Sequence, residues 1–401
     1  MTASPNKLLA RVSVAHLISH LHIMTVPAML PLLPDTMQVS FFELGLAIGI
    51  FNIVSALVQV PLGFLVDRLG ARRMLMAALT LGSASFGLVA LLPTYSWLLL
   101  AMGLAGLANG VYHPADYSLL SRGMPSGRMG RAFSVHTFAG FFGGALAPPL
   151  MVGIALAFDP RWSFAIAALA GLLALGFVAS GSALLAPEKT MSADSPRLTG
   201  ATGRPSSTAM TTLALLTLLF TLLSLSTGAI ERFSVSALVQ GFDVALPVAN
   251  LALTCFLFAS AFGVLAGGVL ADRTERHGDV AAVAFALAAM LVVIVIMMPL
   301  PPLVLAMVLG LTGFLTGMVA PSRDMLVRAA SPEGAEGRTF GIVSTGFNFG
   351  GVIGPVLFGF LLDRGLASGV LWSAVGFMVF TTLIVLYQER RQRMRVGISV
   401  G

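Results

Sequence analysis

The chain has 401 residues, of which 57% are hydrophobic and only 10% charged, too little polar surface to coat a water-soluble globule of this size, so the composition is that of a membrane protein. A formal net charge of +6 does not point to nucleic acid as a partner, because all but two of the Lys and Arg lie in the connections and ends flanking apolar runs. The single Cys255 excludes an intramolecular disulfide and a thiolate metal cluster.

Apolar segments long enough to cross about 30 Å of hydrocarbon as helix fall at 12–33, 43–66, 74–93, 96–121, 132–157 and 162–185. The first follows Lys7 and Arg11, as a signal peptide would, but it runs through Pro27 and Pro31 to Leu33 without a small-residue cleavage site and is expected to be retained. Residues 186–209 are rich in Pro, Ser, Thr and Gly, the composition of a solvated linker. Six more segments follow at 210–240, 246–271, 280–299, 302–328, 339–362 and 369–388, and a basic tail covers 389–401. The expected fold is an all-α membrane protein of twelve transmembrane helices. It divides into a half at 1–185, the linker at 186–209, a half at 210–388 and the tail.

Placing the N-terminus in the cytoplasm puts 19 Lys and Arg on that side, among them Arg68, Arg72, Arg73, Arg122, Arg273, Arg328 and Arg390, against Arg161 and Arg364 on the other. Arg232 and Arg323 fall inside spans. Both termini and the linker are therefore expected to be cytoplasmic.

The two halves repeat each other. The turn GFLVDRLGARR at 63–73 has a second copy, GVLADRTER, at 268–276, with Gly268, Leu270, Asp272 and Arg273 standing 205 positions after Gly63, Leu65, Asp67 and Arg68. A shift of 207 lays Gly103, Gly106, Gly110, Pro114, Arg131, Gly143, Gly144 and Pro148 on Gly310, Gly313, Gly317, Pro321, Arg338, Gly350, Gly351 and Pro355 without a gap. Two like-oriented six-helix halves related by an axis along the membrane normal are the plan of the major facilitator transporters.

The turn carries that resemblance: Gly63, Asp67, Arg68, Gly70, Arg72 and Arg73 match the superfamily's signature between spans 2 and 3. The resemblance implies that Asp67 caps and pairs across the cytoplasmic gate while the basic residues anchor neighbouring helix ends. The second copy, with Asp272 and Arg273, is weaker because Glu275 stands where the repeat would put Gly70. Within the superfamily the chain is most similar to the fosmidomycin-resistance type of drug exporter, through His16, the PAMLPLL run at 27–33 and VYHPADYSLLSR at 111–122. That group usually has an Asp four residues after the span 1 His, where this chain has His20. Span 5 resembles the antiporter signature through Gly140, Gly143, Gly144, Pro148, Pro149 and Gly153. The alternative reading is close helix packing, because span 11 repeats the pattern.

A charge at mid-membrane is costly, so ionisable residues there face a cavity or a partner. They concentrate on spans 1, 4, 7 and 10: His16, His20 and His22; His113 and Asp116; Glu231 and Arg232; Arg323 and Asp324. In the fold that the chain resembles, those four spans line the cavity. His136 on span 5 is the exception, and Asn109 adds a polar group to span 4. His16, His22, Arg232, Arg323, Asp324, His136 and Asn109 are candidates for the substrate cavity. Glu231, His20, Asp116 and His113 are candidates for proton coupling. Glu231 leads because it lies nearer mid-depth beside an Arg, whereas His20 offers an imidazole that titrates near neutral pH. The 207 shift places Asp116 opposite Arg323, suggesting a gate pair between halves. His113 precedes Pro114, where a freed carbonyl offers it a structural role.

No phosphate loop of the ATP-binding type is present and the span 1 histidines lack ligands at metal spacing, so neither cofactor nor metal is expected. The expectation is a proton-driven secondary transporter of the inner membrane, a monomer among lipids, exporting a small amphipathic or anionic compound. Alternatives are an uptake symporter for an organic anion held by Arg232 or Arg323, and a non-transporting membrane receptor of the same fold.

Overall fold

The computed structural model describes residues 4–125, 128–180, 207–271, 273–274, 276–330 and 336–399. Over them the chain forms helices alone: α1 (Pro5–Met29), α2 (Leu33–Met37), α3 (Phe41–Leu69), α4 (Ala71–Leu91), α5 (Tyr95–Gly123), α6 (Met129–Ala157), α7 (Pro160–Ala179), α8 (Ser207–Phe242), α9 (Leu246–Ala271), α10 (His277–Met297), α11 (Pro302–Ala330), α12 (Glu336–Asp363) and α13 (Ala367–Ser399). All but α2 correspond to the twelve expected spans. Eleven are long and apolar enough to cross a membrane. The twelfth, α5, has 29 residues, but Asn109, His113 and Asp116 interrupt its apolar run.

The ends differ from the sequence expectation for local reasons. Pro31 and Pro34 lack the amide hydrogens that would continue α1, so the helix stops at Met29 and resumes as α2, which ends at Gln38 with φ 54°. Helix α13 continues through the residues expected as a tail, as far as Ser399. The expected linker lies outside the described residues up to 206, and α8 starts at Ser207. Between α3 and α4 a single residue makes the turn: Gly70, at φ 96°, closes one helix and opens the next, a conformation that a side chain would strain.

Packing follows the repeat. In the first half α3 packs on α5, α1 on α6 and α4 on α5 and α7; in the second, α9 on α11, α8 on α12 and α10 on α11 and α13. The α9–α11 contact is backbone against backbone. Gly263 and Gly267 rest on the carbonyls of Phe314 and Met318, while Gly313 and Gly317 rest on those of Phe256 and Ser260. Small residues at these points are what allow the approach.

The halves meet through α3 with α12 and α6 with α9. One face of the molecule carries the 63–73 turn and the basic helix ends; the other carries α2. The α3–α12 contact lies toward the face with α2. Asp363 accepts hydrogen bonds from the amides of Phe41 (2.8 Å) and Phe42 (2.7 Å) at the start of α3, Gly45 abuts Pro355, and Asn52 donates to the Gly351 carbonyl at 2.7 Å. Between α6 and α9, Asn250 donates to the Pro148 carbonyl at 3.3 Å, and Phe142 meets Phe258 with ring centroids 5.5 Å apart. Toward the basic face, by contrast, consecutive residues Gln59, Val60 and Pro61 of α3 are all exposed, as are Asn348 and Phe349 of α12. The two halves are thus closed at the α2 face and parted at the basic face.

Candidate functional site

Five of the predicted residues converge in the first half. Helix α1 supplies His16 and His20 on one face, four residues apart, α5 supplies His113 and Asp116, and α6 supplies His136. Asp116 is fully buried. Its Oδ2 accepts a hydrogen bond from His136 Nε2 at 3.0 Å and lies 3.4 Å from His16 Nδ1, while its Oδ1 has no hydrogen-bond partner among the described residues. The His16 and His136 rings stack with centroids 3.8 Å apart and an interplanar angle of 20°. His20 meets His16 edge-on at 4.7 Å and His113 does so at 5.3 Å. His16 and His136 are buried, whereas His20 and His113 are half-buried and Tyr117, stacked on His113 at 6.1 Å, is exposed. The cluster therefore grades from a sealed interior to an accessible rim.

Glycines set this geometry. A Cβ at Gly140 would collide with the His16 ring, and one at Gly143 with the Leu17 carbonyl, so these positions of the span 5 signature let α6 lie against α1. Gly153, in the same signature, faces open space. Accordingly, Gly143→Val is expected to destabilise the protein by about 1–3 kcal/mol through overpacking, and Gly153→Val far less. Thermal unfolding of the two variants in detergent compares them directly, and equal midpoints would refute the close-packing role.

Other candidates stand apart. His22 does not face the cavity: its Nε2 lies 2.9 Å from the Ala167 carbonyl of α7 and its ring packs on Phe86. It points away because it is two residues from His20 on a regular helix. Asn109 donates to Ser55 Oγ at 2.8 Å, tying α5 to α3. The expected Asp116–Arg323 pair is not formed. Arg323 instead bonds its neighbour Asp324, with Nη2 to Oδ1 at 2.8 Å, and its guanidinium sits 4.9 Å from the ring centroids of both Phe220 and Phe347. Positions related by the repeat occupy equivalent places in separate halves, so each finds partners in its own half. His113 does not take the structural role that Pro114 offered, since its Nδ1 has no hydrogen-bond partner among the described residues.

In the second half Glu231 and Arg232 are half-buried on α8, one turn beyond Gly228, which faces open space. Among the described residues neither belongs to an ion pair, and Arg232 Nε is buried without a partner.

At the basic face Asp67 meets Arg122 at 3.6 Å. Both residues are in the same half, so with the halves parted Asp67 does not pair across them. Arg72 donates to the Ala179 carbonyl at the end of α7 at 2.8 Å, the anchoring that the turn signature implied. Arg68 and Arg73 are exposed, and Gly63 lies in ordinary contact range of Pro114. Of the second copy, Arg273 closes a turn onto the Leu270 carbonyl at 3.0 Å, and Asp272 lies outside the described residues.

Sequence reasoning missed two things. Tyr117, in ring contact with His113 and His136, was signalled by its place four residues after His113. Asp363, which joins the halves, carries no motif at all.

The Major Facilitator Superfamily profile matches residues 12–230 and 216–398. The fosmidomycin resistance protein of Escherichia coli is 27% identical over 269 residues, covering 67% of this chain and 66% of that protein, so the alignment spans just under two thirds of the relative. The multi-drug resistance efflux pump PmrA of Streptococcus pneumoniae is 25% identical over 88% of this chain and 87% of its own. Among solved structures, a bacterial homolog of the human lysosomal transporter Spinster, in an inward-facing and occupied conformation, superposes with a TM-score of 0.77 at 15% identity, covering 95% of this chain and 96% of that one. The nucleoside transporter NupG superposes at 0.76 and 14% identity, covering 95% and 99%. The chain belongs to the major facilitator superfamily and is a multi-pass membrane transporter, not an enzyme.

Proposed function

We propose that the protein is a proton-coupled exporter of a small amphipathic or anionic compound, working by alternating access in the inner membrane with both termini cytoplasmic. The observation that carries this reading is Glu231, a half-buried carboxylate on α8 one turn beyond Gly228, which faces open space, with no ion-pair partner among the described residues. An unpaired carboxylate inside the membrane is costly, and a residue that must gain and lose a proton in turn is one that cannot be locked in a salt bridge. Arg232 cannot take that part, because guanidinium stays charged; one turn from Gly228 on the same helix, it supplies the positive charge for an anionic group of the substrate. The likeness to fosmidomycin resistance protein and to an efflux pump supports export as the direction. The proton gradient is the energy source, with no cofactor, and a monomer suffices because each chain holds both halves of the cavity.

The test is transport by the purified protein in liposomes under an imposed pH gradient, across a panel of amphipathic and anionic compounds. Export predicts substrate movement opposite to proton flow, so accumulation in the same direction as the protons would establish the symport alternative. Sidedness is tested separately: a protease site inserted within 186–206 is expected to be cut only from the cytoplasmic side, and cutting from outside would invert the assignment.

A further inference from the structure

We infer that His16, Asp116 and His136 form a binding site for a divalent transition-metal ion such as Zn2+, Co2+ or Ni2+, independent of the coupling role of Glu231. Three ligands of types suited to these ions, two imidazoles and a carboxylate, come from three different helices. One ligand atom from each lies within 4.8 Å of the others. The distances from Asp116 Oδ2 to His136 Nε2 (3.0 Å) and His16 Nδ1 (3.4 Å) are close to the ligand-to-ligand edge of a tetrahedron whose bonds are about 2.0–2.1 Å, which is roughly 3.3–3.4 Å. The His16 and His136 rings also stack, but a nitrogen of each approaches the same carboxylate oxygen, which stacking alone does not require.

Three further features suit an ion. Among the described residues Asp116 Oδ1 is buried with no hydrogen-bond partner, and His16 Nδ1 is near the carboxylate without hydrogen-bond alignment. A cation held by both carboxylate oxygens and by His16 Nδ1 satisfies both. A fourth ligand is at hand in His113, whose ring centroid is 5.3 Å from that of His16 and whose Nδ1 is unpartnered. Access is provided on the side where the halves part: half-buried His20 and His113 and exposed Tyr117 lead from the rim to the sealed carboxylate. The donor set selects among metals. Two imidazoles disfavour Mg2+ and Ca2+, which take oxygen ligands, and the lack of sulfur disfavours Cu+. Cys255 is on α9, in the other half.

Sequence spacing does not reveal such a site, because its ligands are separated by 100 and 20 residues and meet only through the close approach of α1 and α6 over Gly140 and Gly143.

The test uses the full chain purified with a tag free of histidine and stripped with chelator. Equilibrium dialysis against Zn2+ with excess Mg2+, read by elemental analysis, is expected to give one Zn2+ per chain. With Co2+ the visible absorption is expected to have the strength of a four-coordinate centre. His136→Ala and the isosteric Asp116→Asn are each expected to weaken Zn2+ binding about tenfold or more, while His22→Ala, outside the cluster, leaves it unchanged. Gel filtration shows whether each variant is folded, and the isosteric Asn keeps the test open if the Ala variant aggregates. Less than one tightly held ion per wild-type chain, or equal affinity in wild type and Asp116→Asn, would overturn the site.

Discussion

In liposomes carrying a pH gradient, the Glu231→Gln variant is expected to bind and exchange substrate yet fail to concentrate it. One pH unit stores about 1.4 kcal/mol per proton, equivalent to about a tenfold concentration ratio at one proton per substrate; that ratio is what the variant loses. Gln preserves size and hydrogen bonding but cannot carry a proton across. Exchange between equal pools, which needs no net proton movement, reports that the cavity still forms. Glu231 makes no ion pair among the described residues, but the adjacent Arg232 loses a neighbouring negative charge when Glu231 is neutralised, so gel filtration accompanies the exchange assay to show that the variant is folded. Undiminished accumulation with an unchanged pH profile would move the coupling role elsewhere.

A second large effect is expected at the junction of the halves. Asp363, the last residue of α12, takes the amide hydrogens of Phe41 and Phe42, while the first turn of α3 also has a capping box between Ser40 and Glu43. Helix starts hold carboxylates well, since free amides and the helix dipole both favour negative charge there. Removing the carboxylate in Asp363→Ala is expected to cost about 1–2 kcal/mol, but only while the halves are closed at the α2 face. The equilibrium between the two open forms therefore shifts by about 5- to 30-fold toward opening at that face. Spin labels near the start of α3 and the end of α12 measure this as a longer-distance population. An unchanged distribution would mean that closure rests on the Gly45–Pro355 and Asn52–Gly351 contacts alone.

The spans, the repeat and the turn at 63–73 were readable from sequence because each depends on local chemistry: apolar length, charge placement and a glycine at Gly70. The candidate site was half readable. Ionisable residues in apolar runs marked His16, His20, His113, Asp116, His136 and Glu231 individually, but their grouping depends on helix packing. Whether His136 meets Asp116 depends on how far Gly140 lets α6 approach α1, a tertiary outcome without periodicity. The repeat misled once, in suggesting an Asp116–Arg323 pair. Symmetry gives equivalence of position, and equivalence is not contact. Asp363 and α2 were invisible for a related reason: a residue at a helix end shows nothing of the partner it will cap, and a proline pair shows where a helix stops without showing what resumes.

The glycine-lined seam between α9 and α11 has a use for measurement. With Gly263, Gly267, Gly313 and Gly317 each seated on a carbonyl of the facing helix, no side chain can rotate to let one helix slide past the other. The pair is expected to travel as a single strut through the transport cycle. A pair of probes, one on each of these helices, then serves as an internal ruler. Its reading stays constant in every state, and against it the distances that change between α3 and α12 can be calibrated within one sample.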